Sequence, residues 1–311
     1  MARQVEVRAI DRYRVGRPQR PTAASIGMST SPGDGYVQLV ARDPILVLGA
    51  SGTTGRRLTQ RLRDAGAEVR AASRQGQVRF DWTDPETWEP ALAGVARLYL
   101  MAPHGQPVDP GFVGLAADRG VRRIVLLSSR GIETMGDERL MAAERTVRES
   151  GADWTIVRPD WFNQNSDEGF LRPAVLAGEL ALPFGDRRQA FVDADDIAAV
   201  AATALTEDGH AGRSYEVMGP RALSFPEALD IIGRAAGRAI RYSGTADAYR
   251  AAQAALGFPA DQTEQEIAAF AALRDEGDAQ PNALVREVTG HEPKDFEAYA
   301  REAAARGAWS G

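Results

Sequence analysis

In residues 45–58, ILVLGASGTTGRRL, four apolar residues run straight into three glycines spaced G-x-x-G-x-x-G at Gly49, Gly52 and Gly55. The amphipathic stretch TGRRLTQRLRDAG continues from there. That order predicts a buried strand, a tight turn, and a helix whose first amides favour an anion. A glycine triplet by itself is a weak signal, and the strand before it and the helix after it are the context that confirms it. The loop is therefore expected to hold the pyrophosphate of a dinucleotide through Gly49, Ser51, Gly52, Thr53, Thr54 and Gly55, with Arg56 directly behind.

Strand-like runs recur at residues 45–49, 68–73, 78–82, 96–102, 123–129 and 154–159, with helix-like stretches between most of them. This alternation predicts an α/β fold, a Rossmann-type doubly wound parallel sheet covered by helices on both faces. The strand order of such folds, 3-2-1-4-5-6, brings the loops after the first, fourth and fifth strands to one edge. Past Arg158 the pattern loosens into a short strand-like QAFVD, the helix DADDIAAVAATAL, the strand RSYEVMG and the helix SFPEALDIIGRAAG. After Ser243 the chain reads as Ala-rich helices with breaks near Gly257-Phe258-Pro259, Gly277 and Gly290. The expected organisation is a flexible leader over residues 1–44, an NAD(P)-binding core over 45–165, and a C-terminal part over 166–311. That last part contributes core elements and a smaller, mostly helical substrate lobe.

The leader carries seven arginines against four acidic residues (+3), so of the net −6 the body holds −9. An acidic body argues against nucleic-acid binding. The leader lacks a continuous apolar signal core, and Met28 is a plausible alternative start. No apolar run approaches the roughly 20 residues of a membrane span, so a soluble, cytoplasmic protein is expected. The absence of cysteine excludes disulfides and thiolate chemistry, and three scattered histidines make no metal-ligand spacing. No metal is expected.

Cofactor choice is read from the end of the second strand. An NAD-selective site places an acid there, whereas this chain has Ser73-Arg74. Arg74 and Arg56 would suit a 2′-phosphate, which favours NADP(H); the competing reading makes Arg74 a solvated loop charge. Asp81 either accepts from the adenine amine or caps a turn.

The blocks GASGTTGRR, ASRQGQVRFDW, SGADWTIVRPDWFNQN, FVDADDIAAVAATAL and SYEVMGP, in that order, resemble the NmrA-like branch of the atypical short-chain dehydrogenases. The closer likeness is to the group that includes agroclavine dehydrogenase of ergot alkaloid biosynthesis and its bacterial relatives. The resemblance implies a Rossmann core with a small C-terminal lobe, binding of NADP(H), and either reductase activity or cofactor sensing without turnover. Such relatives often keep a lysine or histidine four residues before the glutamate matching Glu144. Here that position is Leu140.

The chain has one lysine, Lys294, and the residue four before it is Gly290. A Tyr-xxx-Lys proton relay is therefore impossible. Met101, Ala102 and Pro103 are expected along the nicotinamide, and Ser128, Ser129 and Arg130 after the fifth strand. The far wall is expected from Arg158, Asp160, Trp161, Phe162 and Asn163, with His104 nearby. Trp161 and Phe162 suit a flat substrate or a packed core equally well. Asp160 would stabilise a substrate cation, donate a proton if burial raised its pKa, or cap a helix. Asp193, Asp195 and Asp196 read as helix caps. The catalytic candidates are Asp160 and Ser128. Together these point to an NADPH-dependent reductase passing hydride to an iminium, quinone or enone on an aromatic or heterocyclic small molecule. A non-catalytic NADP(H)-sensing regulator and a lyase or cyclase are the alternatives. Substrate identity and oligomeric state are left open by the sequence.

Overall fold

The computed structural model describes residues 43–103 and 105–310. The expectations for the leader and for His104 lie outside them, apart from Asp43 and Pro44. Strand β1 (Ile45–Leu48) is buried along its whole length. Its alternation sends Leu46 and Leu48 to one face of the sheet and Ile45 and Val47 to the other.

Helix α1 (Thr53–Asp64) leads to β2 (Val69–Ser73) and the two-residue β3 (Val78–Arg79). Next come α2 (Trp88–Leu92), β4 (Arg97–Met101), α3 (Pro110–Asp118) and β5 (Arg123–Leu127). The short α4 (Ile132–Met135) and α5 (Glu138–Arg148) precede β6 (Asp153–Pro159). The chain continues through α6 (Arg172–Ala177), β7 (Glu179–Ala181), β8 (Arg188–Gln189), α7 (Ala194–Thr206) and β9 (Arg213–Val217). The main sheet is parallel throughout, in the order β3-β2-β1-β4-β5-β6-β9. The expected order is present, and RSYEVMG adds a seventh strand beside β6.

One face is packed by Trp88, Phe112 and Val147 from α2, α3 and α5. The other is packed by α1 and α7, where the alanines of α7 let the two helices approach closely over Val47 and Tyr99. Burying each Leu or Ile here contributes about 1.5–3 kcal/mol. Tight packing on both faces fixes the strand ends, and the site is built on those ends.

The expected strand at 189–193 is a correction. β8 stops at Gln189 because the residues beyond it have other commitments. Ala190 donates its amide to Asp160 Oδ2, and Val192 makes a single bridge with Phe162. Asp193 then caps α7 by accepting from the Asp195 amide at 2.9 Å. The expected strand over 78–82 is likewise shortened, since the Phe80 amide makes the last bond to β2, at Ser73, and Asp81 opens a turn.

A second apolar core holds Trp161, Phe184, Phe225, Tyr299 and Trp309. It gathers β10 (Leu223–Ser224), α8 (Phe225–Ala236), β11 (Arg241–Ser243), α9 (Ala246–Ala255), α10 (Ala260–Asp275) and α12 (Phe296–Ala305) around β7 and β8, while α11 (Leu284–Thr289) packs on the sheet core beside α7 and β9. Helix α8 starts at a complete capping box, Ser224 with Glu227. The expected breaks fall between α9 and α10, after α10 and after α11. Among the described residues no helix is long and apolar enough to cross a membrane, and no cluster of acidic or histidine side chains has metal-binding geometry.

Candidate functional site

Gly49 has φ +64°, and a Cβ there would stand 2.1 Å from Met101 Sδ. A Cβ on Gly55 would stand 2.2 Å from the Gly49 carbonyl oxygen. Gly55, facing backbone, therefore excludes any larger residue, and at Gly49 the left-handed φ strains one, whereas at Gly52 the same oxygen is 3.3 Å away and the demand is weaker. Gly52 is the N-cap of α1, with no side-chain cap, and no acid stands in the first turn. The amides of that turn are left for an external anion. A bare cradle under an uncapped helix, at the switch between β1 and β4, fits a dinucleotide pyrophosphate.

At the carboxyl end of β2, where the ribose is expected, Ser73 closes the strand and Arg74 follows it on the surface. Asp81 turns inward on its own loop. Its Oδ1 accepts from the Thr83 amide at 2.9 Å and the Thr83 hydroxyl at 2.8 Å. These bonds, first the backbone one, hold the carboxyl below its usual range, with Arg74 and Arg79 adding to the effect. Of the two readings, the turn cap describes its contacts. Arg56 is ion-paired to Glu168, which also takes Arg57 at 2.8 Å. That pairing fastens α1 to the segment after β6, and leaves the 2′-phosphate reading to Arg74.

A cavity of about 290 Å³ opens at the carboxyl end of β5 and β6. Ser129 and Arg130 from the β5 loop and Asp160 to Phe162 from the β6 loop form its floor and wall. Met135 of α4 and Leu273 of α10 close it from above, and Phe170, 57% exposed, stands in its wall. Trp161 combines the two roles left open by the sequence: it lines the cavity and packs edge-on to Phe225 at 5.0 Å and Phe184 at 5.6 Å. Phe162 lines the cavity and packs on the sheet core.

Asp160 is 6% exposed. Its Oδ1 accepts from the Trp161 amide at 2.7 Å, and Oδ2 lies 3.4 Å from the Ala190 amide and 3.6 Å from Arg130 Nη1. Burial raises its pKa, against the pull of those amides and Arg130. It caps no helix: the 3-10 turn Asn163–Ser166 has Phe162 at its N-cap and no side-chain cap.

Three expected site residues stand outside the cavity lining. Ser128 is buried and donates to Glu144 Oε1 at 2.6 Å. Arg158 does not line the cavity; its guanidinium grips Glu144 at 2.7 and 2.6 Å and Glu133 at 2.7 Å. Asn163 is fully buried, behind the wall, and its side-chain amide atoms have no hydrogen-bond partner among the described residues. Ser128 and Arg158 are both held by Glu144, 1% exposed, which also takes Arg148 at 2.8 Å. Its hydrogen bonds from these arginines and Ser128 outweigh burial and lower its pKa. Met101 packs against Gly49, Ala102 packs on the sheet core, and the Pro103 carbonyl accepts from Arg139 at 3.5 Å. Ser129 donates to the Arg130 carbonyl at 3.2 Å.

Sequence reasoning missed Met135, Phe170, Gln189 and Leu273 in the cavity wall. Leu273 comes from a helix more than 100 residues beyond the β6 loop, so no local pattern announces it. Lys294 is remote from this chemistry, with Nζ 2.9 Å from Glu302 and 3.5 Å from Asp195.

A glycine cradle at the switch point and an aromatic cavity beside it define a dinucleotide-dependent enzyme of the Rossmann class. A family model described as NAD(P)H-binding matches residues 49–208. The chain belongs to that family, in its NmrA-like branch of atypical short-chain dehydrogenases/reductases, and is an NAD(P)H-dependent oxidoreductase. It is 33% identical over 281 residues to the uncharacterized oxidoreductase YesF of Bacillus subtilis, covering 86% of this chain and 97% of that one. It is 34% identical over 277 residues to (4-alkanoyl-5-oxo-2,5-dihydrofuran-3-yl)methyl phosphate reductase of Streptomyces griseus, covering 83% and 97%. Agroclavine dehydrogenase of Claviceps fusiformis is 27% identical over 272 residues, covering 81% and 94%, so the expected group is among its relatives. The NADPH-dependent quinone oxidoreductase QOR2 of Escherichia coli shares the fold, with TM-score 0.65 and 21% identity over 83% of this chain and 98% of that one.

Proposed function

We propose that the protein is an NADPH-dependent reductase that delivers hydride to a quinone, conjugated enone or iminium carbon of an aromatic or heterocyclic small molecule. The observation that carries this reading is the pairing of Arg130 with buried Asp160, 3.6 Å apart, on the floor of an aromatic-walled cavity. In this reading the loop at residues 49–55 holds the pyrophosphate, Arg74 the 2′-phosphate, and Met101, Ala102 and Pro103 flank the nicotinamide. When bound, the reduced cofactor supplies the hydride.

Reducing a quinone or enone adds one hydride and one proton, with negative charge developing on oxygen between the two. Arg130 can stabilise that oxygen, and Asp160, whose burial raises its pKa, can supply the proton. An iminium needs hydride alone, because a neutral amine forms directly. The Arg130 side chain is 22% exposed and that of Asp160 only 3%, so the cavity presents more positive charge than negative. This supports oxygen acceptors ahead of cations. The Streptomyces relative, whose name describes an alkanoyl-oxo-dihydrofuran substrate, supports the same preference.

Commitment of Ser128 and Arg158 to Glu144 leaves few proton donors in the site, and this favours cofactor sensing as the second reading. NADPH consumption with a naphthoquinone, a cyclic enone and a dihydroisoquinolinium separates the two. Turnover with quinone or enone at least tenfold above that with the cation is expected. Tight NADPH binding with no consumption on any of the three would leave the sensing role.

A further inference from the structure

Arg187 is buried, its side chain 3% exposed, yet it forms no part of the cavity wall. Its hydrogen bonds go to the far end of α10: Nε donates to the Gly277 carbonyl, and Nη2 lies 3.3 Å from Glu276 Oε2. The next residue adds two bonds, from Ala279 N to the Arg188 carbonyl at 3.0 Å and from Arg188 N to Asp278 Oδ1 at 2.9 Å. Glu276 also takes the Thr134 hydroxyl at the end of α4. Residues 276–279 are thus stitched to residues 187–188.

What this stitching holds is the roof. Leu273 of α10 lines the cavity, and Phe270 packs on Phe184 at 5.6 Å. The Arg187 guanidinium lies 5.7 Å from the centre of the Phe184 ring, which in turn meets Trp161. Three residues further on, Ala190 donates to Asp160. One short segment, residues 187–190, therefore touches the roof at its start and the buried carboxyl at its end.

We propose that Arg187 is a positioning residue of this site: it fastens the α10 roof to the segment that holds Asp160, and its charge bears on that carboxyl without contact with substrate. The proposal rests on the reading of Asp160 as the proton donor. Burying a guanidinium costs solvation that an apolar residue of similar size would not, so packing alone does not account for it. Arg130 faces Asp160 at 3.6 Å, and its charge and that of Arg187 both pull against the burial that raises the pKa of Asp160. Glu216, 3.6 Å from Arg130, and Glu276, beside Arg187, are the acids next to those two cations.

The test uses the full chain without cofactor or substrate, so that it stands apart from reductase activity. Amide hydrogen exchange over residues 260–275 reads the roof, and carbon NMR of the carboxyls reads the titration of Asp160. Arg187→Met should speed exchange at least tenfold and move the Asp160 titration to higher pH. Arg187→Lys should restore the titration but not the exchange, because an ammonium cannot reproduce the forked contacts. A folded Arg187→Met with exchange and titration both unchanged overturns the proposal. If that variant does not fold, Glu276→Gln releases the same latch from its more exposed side, and slow exchange in it would be equally fatal. For turnover, Arg187→Met should raise the quinone KM at least threefold and shift the alkaline fall of kcat/KM upward in pH. Absence of any quinone or enone turnover, with exchange and titration responding as stated, would remove the reductase reading and keep the positioning.

Discussion

The Ser128 hydroxyl donates to Glu144 Oε1 at 2.6 Å, inside a cluster that also binds Arg148 and Arg158 to the same carboxylate. A serine expected to serve chemistry is instead part of the clamp joining the ends of β5 and β6. Ser128→Ala should keep kcat within about threefold of the parent and lose about 1.5–3 kcal/mol of stability, the range for a hydrogen bond to a charged group. Thermal melts and NADPH consumption measured together check both halves. A hundredfold fall in kcat at an unchanged melting temperature would return the hydroxyl to the reaction.

Gly55→Ala should abolish the pyrophosphate cradle, because its Cβ would sit 2.2 Å from the Gly49 oxygen. NADPH affinity measured by fluorescence titration should fall by well over tenfold. Gly52→Ala, with 3.3 Å to the same atom, should lose much less.

If Arg74 holds the 2′-phosphate, NADPH should bind at least roughly tenfold more tightly than NADH, and Arg74→Asp should reverse the order. Arg56→Ala should change that ratio little, since its guanidinium is spent on Glu168. Equal loss of NADPH preference in both variants would show that Arg56 leaves Glu168 when cofactor binds.

Asp196 is buried and its pKa is pushed up to about 6, first by desolvation and further by Asp193, against its bond from the Lys294 amide. A folded value above the unfolded one, about 3.9, means the native state holds the proton more tightly. Its contribution to stability is therefore complete below about pH 4 and is lost as pH rises towards 6, on the order of 3 kcal/mol. Asp196→Asn, which still accepts from Lys294, should flatten denaturant-measured stability across that window and be the more stable form at neutral pH. The same slope in both proteins would place the titration elsewhere.

Lys294→Ala should retain turnover, with a stability change of about 1 kcal/mol or less, as its ammonium sits among Glu302 and Asp195 at the partly exposed start of α7. Steady-state kinetics on a folded variant decides this, and loss of activity there would bring a remote C-terminal lysine into the site.

The fold and the cofactor cradle were legible in the sequence because both depend on neighbours. The unbroken apolar run from Ile45 to Leu48 marked a strand buried on both faces, and three glycines at fixed spacing marked the turn and the helix behind it. A solitary lysine with Gly290 four residues before it ruled out a relay with no structure needed. The substrate side was decided only by tertiary contacts. Whether Ser128 and Arg158 face a substrate or Glu144 depends on where α5 packs, and Glu144 lies well away from both along the chain. Asp160 becomes a buried acid only because residues 187–190 and Arg130 close around it, and Leu273 becomes a roof only because residues 276–279 are fastened to Arg187. A side chain's hydrogen-bond partners and solvation are set by segments that meet in space, and a pattern read along one strand or helix carries no information about which distant segment arrives.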